Sequence, residues 1–535
     1  MEVDVVKALE ANLGDKLIDT LLLAEKEGFI SKLNAKFQFC HDRIQEAAYG
    51  MIAEEERMST FGSTSKISDS VEMGLDIMAK LGEELPRSFS DHYTNLQIRS
   101  TQAMLDEISV VDLLNYRMMT DKRNFLSFST SLMDIACWLQ PAVTLKMVEI
   151  TIAHGMSPMS PIGFAYFGSL VVKLRDIKGG HKFTSLARSL VDKMKLKEVA
   201  GEVFWLSTEI LCFVEPLSIA NENRKDGEAI ALAGGDVTWA CYSRAMYTLG
   251  VLWSGSTLSV SAEVYSQGRS FLMSRGHVTT QNYLLIVQRS ILILISAAEC
   301  ETITDNELRQ RVFDNKNPHV LAIYYFQKSY ESFILDDYES MKESAEEFFK
   351  STDQSWSLMS SHIFITLIGG LVSFRIYRET NVALWLERGE FLKSQMQLWA
   401  EHGSTWNFEN KYLLLEAEDH FSHNRIEAAQ AIYNKAISSA KVHKFVQEEA
   451  IAYELAANFY FNIGNFSVSL ECYTAACGKY QEWGAVCKVA RLQHCIQQKF
   501  TTCLSAPLAT QIWLTDRVEA QRSDSDADHC KRKQN

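Results

Sequence analysis

The C-terminal part of the chain contains an internal repeat, and its periodicity restricts the fold more than any other feature. A shift of forty positions superposes identical residues at five places: Leu415 on Leu455, Ala417 on Ala457, Phe421 on Phe461, Tyr433 on Tyr473 and Ala436 on Ala476. Polar turns at 422–425 and 462–465 divide each copy into two helices. The pattern predicts helix-turn-helix units of tetratricopeptide (TPR) type, with a period longer than the usual length of about 34 residues. One such pair cannot bury its own apolar face, so the units must stack.

The second helix of each copy has an apolar stripe along one face. The stripe members are Ile426, Ala429, Tyr433, Ala436 and Ala440 in the first copy and Phe466, Ser469, Leu470, Tyr473, Ala476 and Tyr480 in the second. Their spacing places them on the same side of a helix. Small alanines between large aromatic rings let neighbouring helices approach closely and interlock.

The composition favours the same architecture along the whole chain. Only 7 of the 535 residues are prolines, which break helix interiors, and 26 are glycines, fewer than an all-β chain with many tight turns would need. A weaker copy of the repeat spans 322–349, with Tyr338 after a turn at Asp336 and Asp337. We therefore predict an all-α fold, a TPR-like α-solenoid with a small N-terminal winged-helix-like module.

The chain divides into five segments. Helical spacing at 5–23, a short hairpin within 27–39 with Asn34 near its turn, and a second helix at 42–56 predict the winged-helix-like module over 1–57. A Ser-rich linker at 58–70 follows. We predict a helical repeat region at 71–400, TPR-like repeats at 401–500, and a C-terminal segment at 501–535 that ends in a disordered tail.

The charge of the chain disfavours nucleic-acid binding. The formal net charge is −14 and the isoelectric point is about 5.5, so a phosphate backbone is repelled. Residues 1–57 contain 7 Lys and Arg against 12 Asp and Glu, a net charge of −5. Although winged helices often bind DNA, this one is expected to face a protein.

Nothing in the sequence indicates export or membrane insertion. The first residues lack the basic and apolar regions of a signal peptide, and the 11 cysteines include no C-x-x-C. The most apolar windows, 284–295 and 363–374, are shorter than the roughly 20 residues that cross a bilayer, so we predict buried helices there. A cytoplasmic protein with reduced thiols is the simplest interpretation.

A search for catalytic motifs gives only near matches. Cys477-Gly478-Lys479-Tyr480 resembles the end of a P-loop, but Tyr473 occupies the position of the first glycine and the string lies in a predicted helix. His41-Asp42-Arg43 only superficially resembles a kinase catalytic loop, and the other kinase motifs are absent. We therefore expect no catalytic, cofactor-binding or metal-binding residues, no cofactor and no enzymatic activity in this chain.

Three groups of residues allow a structural and a functional interpretation. Asp42 is suited to cap the helix that follows it, with Arg43 paired to a carboxylate, and a direct functional contact of His41 and Asp42 is the alternative. Buried packing is favoured over metal ligation for Cys472, Cys477, Cys487, His494 and Cys495, because their spacing fits no zinc module. Core packing is likewise favoured over a ligand-binding surface for Trp399, Trp406 and Trp483.

Two segments resemble a known family. The run Phe39-Cys40-His41-Asp42-Arg43-Ile44-Gln45-Glu46-Ala47-Ala48-Tyr49, followed by Glu54-Glu55-Glu56-Arg57, resembles the winged-helix end of a STAND-type, AAA-related ATPase module. The C-terminal run is similar to the helical repeats that follow this ATPase in large multidomain sensor kinases. The matching residues are Trp399-Ala400, Asn410 to Leu414, Glu416-Ala417-Glu418, Tyr433, Ala436-Ile437, Glu448-Glu449-Ala450, Glu454 to Ala457, Phe459-Tyr460, Tyr473 and Trp483-Gly484-Ala485. Between the two segments, 74–75, 81–86 and 147–168 also resemble that region, so the similarity extends over most of residues 1–500.

The resemblance implies a role in signalling. In such proteins a serine/threonine-kinase-like domain precedes the ATPase, and GAF and histidine-kinase domains often follow the repeats. This chain has no nucleotide-binding core with Walker motifs and no GAF or histidine-kinase part, and its Ser-rich linker replaces repeat material. We therefore expect a non-catalytic helical-repeat scaffold or sensor arm that binds a protein partner or a neighbouring ATPase or kinase domain. The alternative is a fragment of a functional ATPase-linked protein kinase whose catalytic domains lie outside this chain.

Overall fold

The computed structural model describes residues 30–33, 36–39, 91–120, 136–296, 304–314, 317–351 and 360–505. Two strands, β1 (Ile30–Leu33) and β2 (Lys36–Phe39), precede the helical part. The helices described are α1 (Asp91–Asp106), α2 (Val110–Leu114), α3 (Ala136–His154), α4 (Ser160–Lys173), α5 (Ile177–Met194), α6 (Ala200–Leu211), α7 (Leu217–Ala233), α8 (Val237–Trp253), α9 (Leu258–Ser274), α10 (Val278–Ile295), α11 (Asp305–Asp314), α12 (Pro318–Ile334), α13 (Tyr338–Ser351), α14 (Ser361–Thr380), α15 (Ala383–His402), α16 (Thr405–Ser422), α17 (Ile426–Val442), α18 (Val446–Asn462), α19 (Phe466–Trp483) and α20 (Val486–Ser505).

The two strands form an antiparallel pair within the predicted hairpin region. Leu33 lies opposite Lys36, and Asn34, which the sequence places near the turn, lies outside the described residues. The remainder of the winged-helix-like module at 1–57, including His41 and Asp42, lies outside the described residues. So do the linker at 58–70 and the tail beyond 505.

The predicted repeat is confirmed as consecutive pairs of antiparallel helices. The second helices of the two copies, α17 and α19, begin at Ile426 and Phe466, so their starting points differ by the period found in the sequence. The weaker copy at 322–349 corresponds to the pair α12 and α13, which meet at the predicted turn. The all-α solenoid expected from the sequence is therefore present, and the division placed at residue 400 falls near the end of α15, within the continuing array.

The same period extends far beyond the two copies visible in the sequence. Many turns between helices contain one residue with a positive φ angle, and these residues recur at about half the period. They are Gly155, Arg175, Lys195, Gly235, Gly255, Gly276, Asp336, Asn381, Asn424, Lys444, Gly464 and Gly484. In several turns a backbone N–H just beyond this residue donates to a carbonyl in the last helical turn, as in Asn465 N to Tyr460 O at 2.9 Å. This Schellman-type ending satisfies carbonyl oxygens that the helix leaves free.

The first helix of each pair lies in an inner layer. Inner helices contact one another along the array, from α4 to α6, α8, α10 and α12 and from α14 to α16 and α18. They are buried on most sides: twelve residues of α14 are buried, against four of its outer partner α15. The inner layer is thus the core of the molecule, and the outer helices cover it on one side only.

Successive turns of this superhelix touch each other. Inner helices distant in sequence meet, α8 against α14 and α10 against α20. Five hydrogen bonds from 404–407 and Gln447 on one turn to 212–217 and Trp253 on the other join residues 190 to 195 positions apart. Cys212 ends α6 and its partner Asn407 lies in α16, five helix pairs later, so one turn of the superhelix contains about five repeats. We call this line of loop contacts the seam: 211–217 and 253–258 on one side, 403–407 and 444–447 on the other.

The two most apolar segments are buried helices, as predicted. Residues 284–295 belong to α10 and 363–374 to α14, and both pack in the inner layer. Among the described residues, α10 is the one helix with the length and composition of a membrane span, and 61% of it is buried within the fold.

Candidate functional site

The seam is the part of the described structure where residues from distant repeats come together, and Asn407 is at its centre. The Asn407 side-chain amide donates to the carbonyl oxygens of Cys212 at 2.9 Å and Glu215 at 2.6 Å. Its own oxygen accepts from the backbone N–H of Leu217 at 3.1 Å. Three backbone groups at a helix end are thereby satisfied by one buried side chain from another turn of the superhelix.

Glycines allow the two sides of the seam to approach closely. A Cβ on Gly403 would lie 2.5 Å from the carbonyl oxygen of Phe213, and a Cβ on Gly255 would lie 2.5 Å from that of Lys444. Gly255 also has a φ of +92°, a conformation that other residues adopt at a cost. Between these two contacts, Phe213 packs with Trp399 and Phe408 at ring-centroid distances of 5.4 and 5.7 Å.

A buried ion pair joins α6 and α7 to the start of α14. Arg224 and Glu209 are 2% and 3% exposed, and Arg224 Nη2 lies 3.0 Å from Glu209 Oε1. The same nitrogen donates to Ser360 Oγ at 2.6 Å, and Glu209 Oε2 accepts from the backbone N–H of Ser360 at 2.8 Å. The carboxylate thus occupies the N-terminal end of α14, where unpaired N–H groups favour a negative charge. We call Arg224, Glu209 and Ser360 the buried charge node.

A second buried pair lies between the inner helices α16 and α18. Lys411 Nζ is 2.9 Å from Glu448 Oε2 and 3.7 Å from the centre of the Phe445 ring, and Asn410 donates to the same Glu448 oxygen. Burial lowers the pKa of Lys411, and the Glu448 charge opposes that effect. The positive charge of Lys411 is therefore paired inside the fold, with the Glu448 carboxylate and the face of the Phe445 ring.

The repeat also reproduces a hydrogen bond. Tyr433 donates to Glu418, and at the equivalent place in the next copy Tyr473 donates to Asn458 Oδ1 at 2.6 Å. A cation from a neighbouring inner helix completes each arrangement: Arg378 at 2.6 Å from Glu418, and Lys499 at 3.0 Å from Asn458. The tyrosine joins the two helices of one repeat, and the cation links that repeat to its neighbour.

One group of side chains has the composition of a metal site. Glu390 on α15 and Asp419 and His423 at the end of α16 place their ligand atoms within 4.8 Å of one another. It is the one cluster of three such residues in the described part of the chain. No metal was expected from the sequence, because the three residues come together only when α15 packs against α16.

The other residues singled out from the sequence do not converge. Cys477 to Tyr480 lie within α19, and Lys479 pairs there with Glu449 at 3.1 Å and Glu482 at 3.0 Å. Cys472 and Cys477 lie on α19 and Cys487, His494 and Cys495 on α20, and no cluster of three ligating residues among the described ones includes them. Trp399 and Trp483 are buried in the core, whereas Trp406 is 39% exposed and packs against His443 with the ring centroids 5.0 Å apart.

The buried groups of the seam are poorly suited to nucleophilic chemistry. Cys212 lies 3.1 Å from Arg224, yet burial raises the pKa of its thiol to about 11, so it stays protonated at neutral pH. The buried charges of Arg224 and Lys411 each have a carboxylate partner. The arrangement is therefore able to fix helices relative to one another. Sequence analysis missed Arg224, Glu209 and Asn407; the available signal was a polar residue at an inward-facing helical position.

Glu202, on the inner helix α6, makes the stability of the fold depend on pH. Burial raises its pKa to about 7 from 4.5, while the Tyr166 hydroxyl donates to the carboxylate at 2.8 Å. The folded chain thus holds this proton more tightly than the unfolded chain, so the contribution to stability is complete below about pH 4.5 and is lost as the pH rises through 7. Glu202→Gln removes the titration and keeps the acceptor. We expect the melting temperatures of variant and parent to coincide near pH 4 and the variant to melt higher at pH 8; an equal difference at both pH values would contradict this.

Comparisons with known proteins do not assign the chain to a group. No protein-family model matches it, and a search of curated proteins finds no match.

Proposed function

We propose that this chain is a non-catalytic helical-repeat scaffold or sensor arm that mediates protein–protein interaction in an ATPase/kinase signalling system. The observation that best supports this proposal is that the buried charged groups pair with residues on other helices. Arg224, Glu209, Lys411, Glu448 and Glu418 all connect helices. A solenoid stiffened in this way offers a large surface of fixed shape to a partner.

The outer helices are the proposed partner surface. Inner helices form the concave binding face in an open solenoid, but here the inner helices α8 and α10 contact α14 and α20 on another turn of the superhelix. Large apolar side chains remain exposed on outer helices, including Leu384 and Phe391 on α15. They are seven residues apart and therefore lie on one face of that helix.

The proposed partner is an ATPase or kinase polypeptide, or such a domain in the same system. The resemblance of residues 39–57 to the end of a STAND-type ATPase module supports this choice, and the net charge of −14 argues against nucleic acid. A cytoplasmic location without membrane association is part of the proposal.

The test uses the purified chain and a STAND-type ATPase–kinase polypeptide from the same cell. The two should co-elute in gel filtration, and Mg-ATP alone should shift the melting temperature of the chain by less than about 1 °C, because a ligand that does not bind the folded state does not stabilise it. Absence of a complex would refute the scaffold role. A nucleotide-dependent shift of several degrees would refute the absence of nucleotide chemistry.

A substitution on the outer face tests where the partner binds. Phe391 is 61% exposed, so Phe391→Asp should change the free energy of unfolding by no more than about 0.5 kcal/mol. The complex with the ATPase–kinase polypeptide should weaken at least about tenfold, since a large apolar anchor is lost. Val442→Asp, at an exposed end of α17, is the matched control. Equal effects of the two changes on binding would show that α15 is not the contact helix.

The alternative is a piece of a functional ATPase-linked protein kinase whose catalytic domains are encoded elsewhere. The winged-helix resemblance favours it as well, because in such proteins that module is the end of the ATPase domain. Reading the DNA upstream of Met1 for a Walker A motif in the same frame distinguishes the two. An open frame without that motif would contradict the alternative.

A further inference from the structure

We infer that the inner helices α10 and α12 form a groove for an acidic, amphipathic helix of a partner protein, and that α11 of this chain occupies the groove until such a helix displaces it. α11 lies at the place of the outer helix between these two inner helices. It has 10 residues, whereas the other outer helices, α5, α7, α9, α13, α15, α17 and α19, have 14 to 20. The inference rests on the proposed role in protein–protein interaction, but it does not depend on the ATPase–kinase partner.

The groove has an apolar floor that is separate from the main core. The floor consists of Leu285, Ile286, Val320 and Tyr324. Two residues of α11 complete this cluster: Leu308 and Val312, each 2% exposed and four positions apart on one face of the helix. Apart from Asp305, which is partly exposed, the remaining residues of α11 are exposed to solvent, including the ring of Phe313. The helix is therefore attached to the groove by two apolar anchors.

Cations at one end of the groove match a carboxylate of α11. Arg289 Nη2 on α10 and Lys328 Nζ on α12 each lie 3.2 Å from Asp305 Oδ1. The Glu331 carboxylate pairs with the same two cations, at 3.7 Å from Arg289 and 3.6 Å from Lys328. Without Asp305, these groove residues present two positive charges against one negative charge. A carboxylate on an incoming helix is therefore favoured at this end of the groove, and a cation is disfavoured.

The helices of the groove do not depend on α11 for their own structure. α11 carries its own capping box: Thr304 Oγ1 accepts from the Glu307 backbone N–H at 3.2 Å, and Glu307 Oε2 accepts from the Thr304 N–H at 2.9 Å. α12 has a separate cap, because Asn317 Oδ1 accepts from the backbone N–H of His319 at 2.9 Å. α10 also packs against α8 and α20, and α12 against α14. The groove therefore keeps its shape when α11 leaves.

The contacts of α11 define what a partner helix must present. A carboxylate, an apolar residue three positions later and another four positions after that reproduce Asp305, Leu308 and Val312. An amphipathic helix that binds in a groove uses anchors with this kind of spacing. A partner helix as long as the other outer helices extends beyond α11 and contacts more of α10 and α12, which enables it to compete with the tethered α11.

A labelled peptide with the sequence of residues 304–314 is the probe of the groove. Leu308→Asp combined with Val312→Asp in the whole chain removes both anchors of α11 and leaves α10 and α12 unchanged; we call this variant the released chain. Fluorescence anisotropy should show that the peptide binds the released chain at least about tenfold more tightly than the parent chain, in which the tethered α11 competes. Circular dichroism checks that the released chain is folded. Equal binding to the two chains, or no binding to a folded released chain, would overturn the inference.

Charge reversal in the peptide tests the recognition of the carboxylate. Asp305→Lys should weaken binding to the released chain at least about fivefold, whereas Asp314→Lys, at an exposed position, should change it less than about twofold. Lys328→Gln, added to the released chain, should weaken binding of the unchanged peptide and not of the Asp305→Lys peptide, because such coupling arises between groups in contact. Equal effects of the two charge reversals would contradict the proposed orientation of the helix in the groove.

Hydrogen exchange tests the same inference on the parent chain without a variant. Amides of α11 should exchange at least about tenfold faster than those of α10 and α12, because α11 opens separately from the inner layer. Equal exchange rates in the three helices would overturn the inference. So would a dimer of the parent chain in gel filtration that the released chain does not form, since the occupant would then be a second copy. Co-elution with the ATPase–kinase polypeptide tests the proposed function separately, and its failure leaves the peptide result intact.

Discussion

Replacing Arg224 with methionine is expected to lower the free energy of unfolding by about 3–5 kcal/mol, because the change leaves Glu209 charged and without its partner in the core. The effect should be large since Arg224 also donates to Ser360, at the start of α14. Urea denaturation followed by circular dichroism measures the change. The loss should appear as a lower midpoint of the transition that includes α6, α7 and α14.

The matched variant for this experiment removes both charges. Arg224→Met combined with Glu209→Met replaces the pair with apolar side chains of similar volume, a change that is often neutral or stabilising. We expect the double variant to recover most of the stability lost by the single one. If Arg224→Met alone costs less than about 1 kcal/mol, the buried charge node does not hold these helices together.

Replacing Gly255 with alanine is expected to cost about 3 kcal/mol, because the new Cβ meets two obstacles at once. The residue has a φ of +92°, and the carbonyl oxygen of Lys444 would lie 2.5 Å from the new atom. Neither backbone can move without loosening the seam. Hydrogen exchange should therefore accelerate at 253–258 and 444–447 together, although these segments are far apart in sequence.

A second glycine serves as the control. Gly478 lies within α19, and a Cβ added there would meet nothing within 4 Å. Gly478→Ala should therefore stabilise the chain by about 0.5–1 kcal/mol, since alanine favours the helix over the unfolded chain. Equal stability changes for the two alanine variants would show that the seam at Gly255 is not under steric constraint.

Local patterns in the sequence predicted the helix pairs well. Tyr433 and Tyr473 mark equivalent positions because the period that spaces them also spaces the helices, and the turn at Asp336 and Asp337 was placed by the same reasoning. Helical periodicity and turn residues act over a few positions, so one sequence contains enough information to place them. The forty-residue period was not found in most of the repeat region at 71–400, since the left-handed turn residues there include lysine and arginine, which give no turn signal by type.

The contacts that define the site could not be predicted in this way. Asn407 bonds to residues on the previous turn of the superhelix, and the group at Glu390, Asp419 and His423 forms only once two helices have packed. Such pairings depend on the superhelical path, which follows from small rotations at each repeat. From the sequence alone, an arginine such as Arg224 is predicted to lie at the surface, because its burial depends on that path.

The contact between successive turns of the superhelix has a mechanical consequence. A coil whose turns already touch cannot be compressed along its axis, and it lengthens only after the contacts between its turns break. If the chain is pulled at its ends, Asn407 and the bonds beside it should carry the load until a threshold force is reached. Below that force the length of the molecule should stay constant, and above it the length should increase with the load.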